Sequence, residues 1–245
     1  MIKFFRKIRK HLLAENKFSK YLIYAIGEII LVVIGILIAL QINNWNNDNI
    51  ERELELNMLS EILTNLEKDV FNFNSKITIN EKAIKNNSAV LEHLILKTPL
   101  TDTLRFYYAR LTGRGTFEPI TVAYENLKSK GINIIRNDSL RISISELYDF
   151  KYFYVTEDLR MDYEPIKDFH MSEIYKNVKT ILETNDNRVA EPVNLSDVQN
   201  DIYFQEALKR AISFYQWMNR NYRNGIRENE IVQEKIKAEL NRSGK

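Results

Sequence analysis

Residues 21–42 read YLIYAIGEIILVVIGILIALQI and contain one ionisable side chain, Glu28. At ~1.5 Å rise per residue, a helix of this length spans the ~30 Å hydrocarbon layer of a bilayer. The stretch is therefore predicted to be a transmembrane helix. The segment before it, residues 1–20 (MIKFFRKIRKHLLAENKFSK), sets Lys3, Arg6, Lys7, Arg9, Lys10, Lys17 and Lys20 against Glu15 alone, a net +6. The whole chain carries +2, which leaves −4 for residues 21–245. Positive charge beside one end of a span keeps that end in the cytoplasm. The expected topology is single-pass, with residues 1–20 inside and residues 43–245 on the far side. A cleaved signal peptide has an apolar region of roughly 7–15 residues and a small-residue cleavage site. Here the apolar run is longer and leads into Gln41, Ile42, Asn43, Asn44 and Trp45 with no A-x-A pattern. Tyr21 and Tyr24 at one end and Trp45 at the other suit the aromatic belts of the two interfaces.

The basic segment has its own amphipathic pattern. Ile2, Phe4, Phe5, Ile8, Leu12 and Leu13 share one helical face, which suits a helix lying on anionic headgroups. Simple orientation of the anchor explains the same charges. Within the span, an ionised Glu28 would cost ~2.5–3.5 kcal/mol at the helix centre and less nearer the edge. Such a residue faces a protein partner, a water-filled cavity or a proton, or it snorkels to the boundary. Gly35 and Ala39 form a small-xxx-small pair that allows close helix approach, and Gly27 lies two turns before Gly35. Gly27, Glu28, Gly35 and Ala39 are thus the expected packing face of the anchor against another transmembrane helix.

Three blocks carry a family resemblance: ENKFSKY at 15–21, GEIILVVIGILIALQINNW at 27–45 and AYENLKSKGINIIRNDSLR at 123–141. They resemble an uncharacterised family, a domain of unknown function, of single-pass membrane proteins of Gram-negative bacteria. The resemblance implies a membrane-anchored helical protein; together with the charge asymmetry, the expected location is the inner membrane, with the C-terminal domain periplasmic. It implies no activity, substrate or catalytic residue.

After the span come about 200 residues, enough for one domain with a sizeable core. Gly is 7, Pro is 4 and Cys is 0. So few turn residues indicate long helices, and an extracytoplasmic domain without cysteine holds its core without disulfides or thiolate metal sites. The expected fold is all-α: the transmembrane helix (21–42), an Asn-rich connector (43–49) and a helical bundle (50–245) whose helices are partly coiled-coil-like.

The first long helix is predicted over residues 50–97. Leu56, Leu59, Leu63, Leu66, Val70, Phe73, Ile77, Asn80, Ile84, Asn87, Leu91 and Leu94 follow a seven-residue repeat broken by two asparagines. A homomeric coiled coil and a bundle interior both fit this seam; the other helices of the chain favour the bundle. Further helices are expected over 102–111, over 119–130 with Gly131 as a left-handed cap, and from Ser139 to about Glu183 with a kink at Pro165. Asn137 or Asp138 should cap the latter. Residues 185–195 read as a loop. The last helix should start at a Ser196 or Asp197 cap, run to about Leu240 and bend at Gly225.

Chemical motifs are scarce. The loop 112–116, TGRGT, lacks the spacing of a phosphate loop. His93 and His170 have Val90 and Lys167 three residues before them, not the Glu of a bundle di-iron site. No H-E-x-x-H or G-x-S-x-G occurs. No metal, no cofactor, no catalytic residue and no nucleic-acid partner is expected. The best contact candidates are Arg105, Tyr108, Arg110 and Arg114, since arginine forks bind carboxylates or phosphates beside tyrosine hydroxyls. The same residues also suit an aromatic core with an arginine rim. The leading expectation is a non-enzymatic scaffold or accessory subunit that pairs with itself or with another membrane protein. Ligand sensing through a partner is second, and an envelope enzyme is third. Glu28→Leu is expected to weaken complex formation; unchanged assembly in mild detergent, read by size-exclusion chromatography, would refute a packing role for Glu28.

Overall fold

The computed structural model describes residues 18–183 and 188–243. The expected surface helix falls on residues 1–17 and lies outside the described residues, as do the side chains of Tyr21 and Tyr24. The chain divides into two compact units, Met1–Leu54 and Glu55–Lys245. It is all-α, 84% helical.

Helix α1 (Phe18–Leu96) carries the apolar stretch in the first unit and the seam in the second. Residues 43–49, read as a connector, are helical. Asparagine costs a helix only about 0.7 kcal/mol or less per residue, whereas two new helix ends would strip backbone groups of their partners.

In the second unit α1 is followed by α2 (Asp102–Tyr108), shorter than predicted, and by an extended passage to Thr121. Then come α3 (Val122–Lys130), a 3-10 turn (Ile132–Ile134) and α4 (Asp138–Glu146). Gly131 ends α3 at φ 104° and ψ 115°, positive as a cap requires but not left-handed helical, because the chain enters the 3-10 turn at once. Asn137 caps α4, its side chain accepting from the Leu140 N–H.

The helix predicted from Ser139 to about Glu183 is irregular and shorter. It winds as π-helix over Leu147–Lys151 and again over Tyr154–Asp158, then continues as α5 (Leu159–Asn177). Pro165 sits within α5 without ending it. The extra residue in each π turn rotates the faces: Tyr152, Val155 and Leu159 are buried, while Tyr154, predicted inward, is 45% exposed.

After Asn177 the chain forms an antiparallel hairpin, β1 (Val178–Glu183) with β2 (Arg188–Pro192). Both the helical reading of 178–183 and the loop reading of 188–192 are corrected by it. The β-branched pair Val178 and Thr180 opposite Ala190 and Pro192 suits a strand pair better than a helix end. A short α6 (Leu195–Gln199) is capped by Asn194, upstream of the predicted caps. The last helix, α7 (Ile202–Ser243), is unbroken through Gly225. That glycine makes room: a Cβ there would stand 2.9 Å from Phe73 Cζ.

The main core joins α1, the 117–127 passage, the π-wound segment, α5 and α7; a smaller one gathers Val90, Leu94, Tyr108, Leu111, Phe204 and Leu208. The α1 seam is therefore packed within the chain. Its buried line runs Glu55, Leu59, Ile62, Leu66, Asp69, Phe73, Ile77, Asn80, Ala83, Asn87, Val90 and Leu94. Seven of the twelve predicted seam residues are on it; Leu56, Leu63, Val70, Ile84 and Leu91 sit half-buried beside it. On α7, Ile231 is exposed and Val232 takes the inward place.

Gly115 lies so close to α1 that an added Cβ would be 2.3 Å from the Lys76 carbonyl oxygen, while Gly113 has open space. Gly115→Ala should cost about 2–3 kcal/mol and Gly113→Ala within about 0.5 kcal/mol. Urea midpoints of the full chain in mild detergent, followed by Trp217 fluorescence, measure the difference.

Candidate functional site

The first candidate surface is the apolar stretch of α1. Every large apolar side chain described between Leu22 and Ile42 is exposed, from 46% to 69%. Gly27 and Gly35 meet no heavy atom that would oppose a Cβ within 4 Å. Glu28 is half-buried, and Trp45 is 66% exposed. Apolar surface on this scale stays out of water at ~25 cal/mol per Å2; among the described residues, one helix is long and apolar enough to cross a membrane.

The second unit is organised by polar residues on the buried line of α1. Asn86 Nδ2 donates to the Arg110 carbonyl (3.0 Å) and Asn87 Nδ2 to the Leu111 carbonyl (3.0 Å). The Gly115 N–H donates to Asn80 Oδ1 (2.7 Å), and the Ile120 N–H to Asp69 Oδ1 (3.0 Å). The Arg136 N–H donates to Glu55 (2.9 Å). The passage after α2 thus runs antiparallel to α1, its main chain bonded to helix side chains in place of a strand. The lengths agree: about 27 Å of helix separates Asn87 from Asp69, and about 30 Å of extended chain separates Leu111 from Ile120. Tyr222 of α7 closes the other side, its hydroxyl accepting from the Phe117 N–H and donating to the Gly115 carbonyl (both 3.2 Å). Asn80 Nδ2 also donates to Asn219 Oδ1 (3.0 Å).

Asp69 and His170 are among the ionisable groups buried in this network. Asp69 is fully buried, and its Oδ2 has no partner in bonding geometry. Burial raises its pKa to about 6, against the lowering pull of the Ile120 N–H and the Tyr152 hydroxyl. His170 is buried with Nε2 2.9 Å from Asn87 Oδ1. Asn87 Nδ2 is committed to carbonyls, so Oδ1 faces the histidine and Nε2 carries the proton. Burial lowers the His170 pKa to about 4. Among the described residues, no group of three or more His, Cys, Asp or Glu is placed to hold a metal ion.

The arginine candidates do not converge on one pocket. Arg105 is bonded to Asp102 (2.8 Å) and Glu191 (3.3 Å). Arg110 donates to the Phe106 and Arg188 carbonyls and lies 3.6 Å from the Phe106 ring centre. Arg114 bonds Thr116 and stacks 4.3 Å from the Tyr163 ring centre. Tyr108 is buried in the smaller core, its hydroxyl unpartnered.

Two grooves missed by the sequence reading flank α7. One, about 420 Å3, lies against α5 and is lined by Pro165, Ile166, Phe169, Tyr203, Glu206 and Arg210. The other, about 510 Å3, is lined by Phe150, Tyr154, Val155, Asn221, Gly225 and Glu228 among others. Beside it Phe150 is 70% exposed and Phe153 51%. π turns occur often at functional sites, and these two put three aromatic rings on the surface.

The class that these features define is an all-α protein with one N-terminal helix apt to cross a membrane and an asparagine-rich helical unit after it. Within that class, the chain belongs to a family of unknown function (DUF6090), which matches residues 28–199. No curated protein and no solved structure matches it significantly.

Asp69 and His170 titrate in opposite senses. Asp69, with its folded pKa raised from 3.8, gives stability that is complete below about pH 4 and lost as pH rises through 6. His170, lowered from 6.5, gives stability that is present above pH 6.5 and lost as pH falls through 4. Each is worth about 3 kcal/mol, so the two nearly offset. On acidification from about pH 7 to about 4, Asp69→Asn should lose about 3 kcal/mol relative to the natural chain and His170→Gln should gain as much. Thermal unfolding across that range measures both.

Proposed function

We propose that the protein is a membrane-anchored interaction module. Residues 21–42 cross the inner membrane with the N-terminus cytoplasmic, and the helical unit in the periplasm binds a protein partner as scaffold or accessory subunit. The observation that carries this reading is the exposure of every large apolar side chain described between Leu22 and Ile42. A bilayer covers such a surface without cost to the fold, and Glu28 beside Gly27 suits a helix packed against it. On the second unit, Phe150 and Phe153 are large exposed aromatics of the kind that anchor interfaces.

The test is recovery of tagged protein from native membranes in mild detergent at endogenous expression, with mass spectrometry. A stoichiometric partner is expected, lost on Phe150→Asp with Phe153→Asp while membrane retention is kept. Recovery of the protein alone would refute the accessory-subunit reading. Protease added to intact spheroplasts should digest the second unit and spare an N-terminal tag; the reverse pattern would overturn the topology.

A further inference from the structure

We propose that Asp69 is a proton-operated latch on the extended segment 116–121, holding it against α1 when protonated and loosening it when ionised. The geometry is that of a closed pocket for one carboxyl group. Asp69 Oδ1 accepts from the Ile120 N–H, whereas Oδ2 and the Tyr148 hydroxyl are buried with no partner. A proton on Oδ2 removes the charge that this buried pocket does not solvate. Without it the carboxylate has the Ile120 N–H and the neutral Tyr152 hydroxyl to support it, in a setting where an uncompensated charge is costly.

Among the described residues, no cation answers the charge. From the π-wound segment Tyr148 and Tyr152 face Asp69, and burial pushes both hydroxyls well above their ordinary range, so they stay neutral. Asn229 of α7 donates to the Tyr152 hydroxyl (2.6 Å) and the Leu66 carbonyl, and is held by Gln233; both are neutral. Tyr124 of α3 stacks on Tyr148. Of the charged groups on these elements, Asp149 is engaged with Tyr124 and Lys128, and Lys151 with Glu228. Glu118, in the latched segment, is exposed. On ionisation the proton leaves to water, and water reaches the carboxylate only as the segment lifts from α1.

The carboxyl is held at about 6 against 3.8 when the segment is open. Opening therefore grows as pH rises from about 4 to about 6 and levels off above, about a hundredfold in all. The device goes beyond the anchoring role and stands apart from it.

Amide hydrogen exchange of the full chain in mild detergent tests it, read at Phe117 and Ile120 and corrected for intrinsic rates. Between about pH 4 and about pH 7, protection should fall about a hundredfold in the natural chain. It should stay flat in Asp69→Asn, whose amide keeps the acceptor and does not ionise, and His170→Gln should behave as the natural chain does. Constant protection in the natural chain, or the same fall in Asp69→Asn, overturns the proposal. Should that variant not fold, infrared difference spectra decide: in the natural chain a protonated-carboxyl band lost near pH 6 is expected, and in Tyr152→Phe, which removes a hydroxyl that lowers the pKa, the loss should move to higher pH. A single transition at the ordinary carboxylate range refutes the latch.

Discussion

An extended peptide inside a helical core presents N–H and C=O groups that neither a helix nor a sheet satisfies. In this protein α1 satisfies them with side chains: Asn86, Asn87, Asn80 and Asp69 bind the main chain of residues 110–120 in antiparallel order, and Glu55 binds Arg136. The remainder of the second unit follows from that clamp. Gly115 must be glycine because the peptide sits on the Lys76 carbonyl. Phe117 enters the core at the clamp, stacked on Phe73 with ring centres 3.5 Å apart. Tyr222 and Asn219 bring α7 to the same line.

Polar clamps in an apolar core have consequences for charge. A buried asparagine needs only its hydrogen bonds, but an aspartate in the same place is burdened with a charge that the core does not solvate. Asp69 and His170 are residues of the network in this position, and their opposed shifts nearly offset each other. The exposed aromatics have a related origin. Burying Tyr148, Tyr152 and Val155 together requires the extra residue of each π turn, and the same winding turns Phe150, Phe153 and Tyr154 to the surface. The groove beside α7 arises from the packing of the core.

Residues 21–42, the basic segment before them and the scarcity of Gly and Pro were enough to read an apolar helix and an all-α chain. The Asn137 cap and the glycine stop at 131 were readable as well, since each depends on residues within a turn or two. The seam of α1 was read half correctly. Apolar spacing pointed to Leu59, Leu66 and Phe73, but Glu55 and Asp69 fall two heptads apart beside the stripe, and acids at such positions look like a solvated face.

What sequence determined is local: helix formation, caps and an apolar length that fits a bilayer, because each is a property of neighbouring residues in any context. What only the tertiary structure decided is which polar side chains lie inside. Asp69, Asn86 and His170 are buried because a segment far along the chain brings the donors and acceptors they meet. The hairpin at 178–192 and the π turns also follow from distant contacts, against α2 and α7, which no local pattern of residues contains.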